Sequence, residues 1–135
     1  MPETDFTALL DAARAVQQRA YAPYSRFRVG AAILAEDGAV HVGCNVENAA
    51  YPSGSCAEQG AISAMIAGGS SRIAAILVFG EGEALVTPCG ACRQRIREFA
   101  SPETTIAIAG PQGIRARFSL ADLLPASFGP DNLRG

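Results

Sequence analysis

Residues 73–79 read IAAILVF, an unbroken apolar run with no polar position to mark a solvent face. A strand buried on one face alternates apolar with polar residues. A continuous run of this length fits a strand covered on both faces. Residues 104–109 repeat the signal, and 114–118 form a shorter strand. Upstream, 28–35 and 39–45 read as two strands joined by Glu36-Asp37-Gly38, a hairpin signal. Helical stretches fall between these strands. Residues 3–20 carry Phe6, Leu9, Leu10, Ala13, Val16 and Ala20 at helical spacing, and Ala22-Pro23-Tyr24-Ser25 ends them. Residues 57–67 are a short apolar helix stopped by Gly68-Gly69. Residues 90–99 are another helix, and SLADLLP (119–125) gives a last amphipathic turn or two. Residues 46–55 and 80–88 are loops, and the tail SFGPDNLRG (127–135) has no regular pattern. Strands interleaved with helices in this order imply an α/β chain, with a mixed sheet covered by helices on both sides.

The chain has 135 residues, 49% hydrophobic and 18% charged, which suits one domain over 1–135 with a real core. No linker, repeat or composition shift divides it. No apolar run approaches the roughly 20 residues of a membrane span. The opening MPETDFTALLDAAR carries acids where an export signal carries bases. With four cysteines and no such signal, the expected compartment is the reducing cytoplasm. The net charge of -2 is opposite in sign to that of a typical nucleic-acid binder. Arg93, Arg95 and Arg97 read mainly as a solvated helix face. The glycines of residues 80–88 do not make a phosphate cradle, because Glu81 and Glu83 would repel the anion.

The chemistry is concentrated in SCAEQG (55–60) and TPCGACR (87–93). Cys56 opens one short helix. Cys89, after Pro88, opens the next, with Cys92 on its first turn. Helix N-termini favour thiolate over thiol. Should the two N-termini face one point, three soft ligands meet there, and soft thiolates suit zinc. Three protein ligands leave the fourth position open, the mark of a catalytic zinc. Glu58 is two residues from a ligand, within reach of whatever fills that position. Three thiolates acidify a bound water less than neutral imidazoles would, and a carboxylate base offsets the shortfall. Other readings stand beside this one. C-x-x-C also marks redox pairs and structural sites, and Cys44 could close a four-cysteine site. Against closure, Cys44 alternates with Val40 and Val42 as a small core residue would. His41, on the opposite side of that strand, reads as a surface or interface residue and not a ligand.

Cys56-Ala57-Glu58 and Pro88-Cys89-Gly90-Ala91-Cys92 match the nucleobase deaminase signature in its all-cysteine form. With YAPYSRFRVG (21–30), GCNVENAAY (43–51), PCGACRQ (88–94) and LLPASFG (123–129), the chain resembles the small tetrameric cytidine deaminases from about residue 8 to about residue 130. The resemblance implies a three-layer αβα sandwich with a five-stranded mixed sheet. It implies one Zn2+ per subunit on Cys56, Cys89 and Cys92, and Glu58 as proton shuttle. Asn45 and Glu47 would hold the ribose hydroxyls, Phe27 would line the pyrimidine site, and the Ala57 backbone would donate to the base carbonyl. Phe128 would reach a neighbouring subunit's base within a homotetramer.

One departure stands out. Many three-cysteine relatives place an arginine after the catalytic glutamate, where this chain has Gln59. Arg93 matches a second compensating arginine and would carry that duty with the helix N-termini. The expected reaction is deamination of cytidine and 2′-deoxycytidine. Rival substrates are N4-substituted cytidines and aminonucleoside antibiotics. A non-catalytic zinc module leaves Glu58, Asn45 and Glu47 unexplained. Editing of RNA or DNA lacks its basic groove.

Overall fold

The computed structural model describes residues 5–134; residues 3 and 4 of the expected first helix lie outside them. Among the described residues the order is α1 (Phe6–Gln17), β1 (Val29–Ala35), β2 (Val40–Cys44), a 3-10 turn (Tyr51–Ser53), α2 (Ala57–Ala67), β3 (Ile73–Gly80), α3 (Gly90–Phe99), β4 (Thr105–Gly110), β5 (Gly113–Ser119), α4 (Leu120–Leu123) and α5 (Pro130–Arg134). The strands form one mixed sheet in the order β2-β1-β3-β4-β5. β1 pairs antiparallel with both β2 and β3, β3 runs parallel to β4, and β5 returns antiparallel. The parallel pair needs a crossover, and α3 supplies it.

The apolar run of β3 divides between two cores. Ile76 and Val78 join Ala31, Ile33, Ile106 and Ile108 under α2 and α3. Ala75, Leu77 and Phe79 join Ala32, Ala107 and Ala109 under Leu9 and Ala13 of α1. Both faces of β3 are therefore covered, as its lack of alternation requires. Each fully buried Ile or Leu contributes about 1.5–3 kcal/mol. Among the described residues no helix is long and apolar enough to cross a membrane.

Three expectations need correction. The first helix stops at Gln17 instead of running to residue 20. Beyond it the chain is drawn towards the end of β2: the Tyr21 amide donates to Asn45 O (3.0 Å), and Tyr21 O accepts from the Glu47 amide (2.8 Å). Gln17 is itself buried, its amide donating to Arg28 O (3.2 Å) and Glu81 Oε1 (2.8 Å). Second, the tail is not wholly irregular, since Pro130–Arg134 forms a helical turn. Third, the faces of β2 are reversed from the reading above. Val40 and Val42 are exposed and Cys44 is only half-buried, while Gly43 is buried. A Cβ on Gly43 would collide with Ala57 O and the Ala61 amide, so glycine is what lets α2 lie on this strand. His41 lies on the same side, against Gly68, with its Nε2 buried. β2 is an edge strand, and alternation on an edge does not tell which side meets the core.

Candidate metal and ligand site

The first turns of α2 and α3 meet. Cys56 is the N-cap of α2 and Cys89 the N-cap of α3, both extended, and neither thiol is spent on capping its own helix. Their sulfurs lie 3.9 Å apart. Cys92, fully buried one turn into α3, completes a group whose Sγ atoms all lie within 4.8 Å of one another. Sulfurs at tetrahedral corners around zinc, with Zn–S near 2.3 Å, would be about 3.8 Å apart. Cys44 is not in the group. The structure thus favours an open three-thiol site over a closed four-cysteine one. Cys44→Ser should keep zinc near one per chain, with activity retained and a modest stability loss. Metal analysis of the purified variant checks this; loss of zinc would restore Cys44 as a ligand.

The electrostatics of the thiols fit a cation. Burial raises the Cys56 thiol above its ordinary range, and the charge of Cys89 adds to this. Burial raises Cys92 much further, reinforced by Glu58, Cys56 and Cys89. Cys89 alone is lowered: burial opposes its ionisation, but the amide of Cys92 and the two neighbouring thiols outweigh burial. Three thiolates cannot share this spot cheaply without a soft divalent ion to pull them together. Zinc fits that requirement.

Glu58 is the other buried acid here, 5% exposed, and it lines the same cleft as Cys56 and Cys89. Burial is the main cause that raises its carboxyl above the ordinary range; its own amide and the charge of Arg95 oppose the shift. Its charge bears on both Cys56 and Cys92, which puts it near the thiols.

The cleft has a volume of about 660 Å³, within the usual size for a small-molecule site. Phe27, Asn45, Glu47 and Ala57 all line it. The Asn45 amide donates to Phe27 O (2.8 Å), and its Oδ1 accepts from the Val29 amide (2.9 Å). One N–H and one lone pair remain for a ligand. Glu47 accepts from the amides of Tyr24 (2.9 Å) and Ser25 (3.1 Å) and from the Ser25 hydroxyl. The Ser25 hydroxyl chiefly lowers its carboxyl, with some opposition from burial and help from the two amides. Glu47 therefore stays ionised while it holds Tyr24 and Ser25, which line the cleft. Ala57, fully buried, places its amide among the first-turn N–H groups that have no partner within the helix.

Two residues with positive φ stand just before the expected substrate-contacting aromatics. Arg26 (φ 59°) directly precedes Phe27, and Ala126 (φ 51°) lies two residues before Phe128. Such conformations cost about 1–3 kcal/mol and cluster at functional sites. Phe128 is 58% exposed and does not line its own chain's cleft. Its carbonyl accepts from Gln94 Nε2 (2.8 Å), which fixes the tail to α3. Gln59 is half-buried on the first turn of α2, outside the cleft lining.

Arg93 is placed differently from the expectation. Its guanidinium donates to Pro88 O (2.7 Å), Leu123 O (2.9 Å) and Thr87 Oγ1 (3.2 Å), clamping the segment that delivers Cys89. The cation on the thiols is Arg95, whose Nη1 donates to Cys92 Sγ (3.4 Å). Tyr24 and Tyr51, which the sequence motifs do not single out, also line the cleft and meet edge-on with ring centres 6.3 Å apart. The available signal was a tyrosine beside a proline in each of the two loops flanking the motifs.

The comparisons with known proteins agree with the fold and with a zinc-binding region. The family described as "Cytidine and deoxycytidylate deaminase zinc-binding region" matches residues 4–108. A cytidine deaminase of Mycobacterium tuberculosis is 43% identical over 134 residues, covering 98% of this chain and 96% of its own length. One from Sporosarcina psychrophila is 39% identical, covering 96% and 95%. Among solved structures, the cytidine deaminase of Burkholderia pseudomallei superposes with a TM-score of 0.86 at 44% identity, covering 93% of this chain and 100% of that one.

Proposed function

The chain belongs to the cytidine and deoxycytidylate deaminase family, and from that premise we propose that it hydrolyses cytidine and 2′-deoxycytidine to uridine, 2′-deoxyuridine and ammonia. The observation that carries the reading is the meeting of three thiols at two helix N-termini with a buried glutamate in one nucleoside-sized cleft. Cys56, Cys89 and Cys92 hold one zinc per subunit. When bound, zinc supplies Lewis acidity that makes water a competent nucleophile near neutral pH.

The remaining work falls to the chain's own residues. Water oxygen adds to C4 of the pyrimidine. Glu58 takes the first proton from that water and gives it to N3, where it stays in the uridine product. Glu58 then moves the second proton to the amino nitrogen, the C4–N bond breaks, and ammonia leaves. A carboxyl raised by burial suits both directions of transfer, since its pKa is brought nearer the working pH. The Ala57 amide donates to the base carbonyl and Phe27 packs on the ring. Asn45 and Glu47 take the sugar hydroxyls with the capacity their loop contacts leave free. Arg93 and Gln59 act behind the ligands, Arg93 through the loop it clamps.

Purified protein mixed with cytidine or 2′-deoxycytidine should lower the substrate absorbance and release ammonia one for one. Turnover confined to N4-substituted cytidines or aminonucleosides would overturn the substrate assignment and keep the chemistry.

The assembly is a homotetramer that completes its sites between subunits, in the cytoplasm, where the thiols stay reduced. The exposed Phe128, held by Gln94 outside its own cleft, supports a reach to a neighbour. Stacking on a base is worth roughly 1–3 kcal/mol. Phe128→Ala should therefore raise KM for cytidine about ten- to a hundredfold, with zinc content unchanged. Co-expression with a Glu58→Ala chain checks the sharing: mixed tetramers should recover activity beyond the sum of the two parents. Proven mixing without recovery would rule out shared sites.

A further inference from the structure

The basic run on α3 divides into three different tasks. Arg93, Arg95 and Arg97 sit at every second position, so on a helix of 3.6 residues per turn they point in different directions. Arg93 spends its donors on Pro88, Thr87 and Leu123. Arg97 turns to the tail, donating to Ser127 Oγ (2.9 Å) and pairing with Asp131 (3.6 Å). Arg95 alone of the three donates to a cysteine of the cluster. It lies three residues after Cys92, the spacing that stacks neighbours on one helix face, and its Nη1 is 3.4 Å from Cys92 Sγ.

Cys92 is the buried member of the three, while Cys56 is half-buried and Cys89 exposed. Charge on its sulfur is the least screened by water, so a fixed cation has the most effect there. Three thiolates outweigh the two charges of zinc, and Gln59 brings no charge to offset the excess. We propose that Arg95 is the charge-balancing and positioning residue of the three-thiol centre, acting through its hydrogen bond to Cys92 Sγ. The inference rests on the zinc reading above. A hydrogen bond draws electron density from the sulfur. It lowers the donation of Cys92 to the metal and keeps the metal electrophilic, while the guanidinium charge holds the anionic ligand set together.

The test replaces Arg95 by Gln and by Lys, with Arg97→Gln as comparison, and loads each purified chain with zinc or with cobalt(II) as a spectroscopic probe. In Arg95→Gln the sulfur-to-cobalt charge-transfer band should move to lower energy, because the Cys92 sulfur donates more strongly without its hydrogen bond. Zinc affinity in competition with a chelator should fall about 10–100-fold, the usual range when a partner of a metal ligand is removed. Arg95→Lys, which keeps the charge, should recover part of the affinity. Arg97→Gln should leave the band where it is in the parent, since its contacts are to Ser127 and Asp131 of the tail. A folded Arg95→Gln chain whose band and zinc affinity equal the parent's overturns the proposal. So does an Arg97→Gln chain that shifts the band as far as Arg95→Gln. A parent that takes up neither metal overturns the zinc reading itself, and is told apart because no variant is needed to see it.

Discussion

Glu58→Gln should abolish all but a trace of deamination while leaving the zinc in place. General acid–base steps are worth about 10²–10⁴-fold, and a larger loss is expected because one carboxyl serves both proton transfers. The substitution keeps the shape and removes the proton. A pH effect on stability accompanies it in the metal-free chain. Burial raises the Glu58 carboxyl above its ordinary 4.5 in the folded state. Folding therefore binds a proton that the unfolded chain releases, and the stabilising contribution is complete below 4.5 and lost as pH rises through the folded value. The neutral amide has no such dependence. Metal-free Glu58→Gln should melt above the metal-free parent at neutral pH, and the gap should close in acid. Thermal melts at several pH values, paired with activity assays of the loaded proteins, check both parts. Near-normal turnover by Glu58→Gln would remove Glu58 from the reaction.

Cys92→Ala should have a comparable or larger effect by a different route. It removes the one fully buried thiol of the cluster and leaves Cys56 and Cys89, which are partly open to solvent. Two thiols at a helix–helix junction hold zinc far less firmly than three, so chelator treatment should strip the variant. The loss of activity should then exceed the roughly 10²–10⁴-fold expected from losing an acid–base group alone. The fold should survive, because alanine fits the space and the core under α2 and α3 is built from other residues. Metal content and activity measured on the same preparation check this. Full activity at one zinc per chain would show that Cys92 is no ligand.

The layering was legible in IAAILVF because a strand covered on both faces has no position left for a polar residue, and both cores do divide that run between them. The thiol cluster was legible because cysteines at two helix starts can serve one point only if the starts meet, and the motif spacing told which residues those were. Edge strand β2 was misread because Val40-His41-Val42-Gly43 offers a valine face and a His/Gly face, and hydrophobicity favours the valines. The deciding fact was steric: α2 lies so close that only glycine fits beneath it. The end of α1 was misread because its stop comes from backbone pairing of Tyr21 with the 45–47 segment, residues distant in sequence. The arginines were misassigned for a similar reason. Sequence spacing tells that Arg93 and Arg95 point differently, but not which direction holds the sulfur. Arg93 finds carbonyls supplied by Pro88 and Leu123, and Arg95 finds Cys92.

We propose that three thiols and one glutamate make this chain a zinc-dependent cytidine deaminase. The most direct measurement is a zinc titration of the metal-free protein against the rate of cytidine absorbance loss. Activity should be absent at the start, rise in proportion to added zinc, and level off at one zinc per chain. Full activity in the metal-free protein, or none at any zinc loading of a folded chain, would contradict the account.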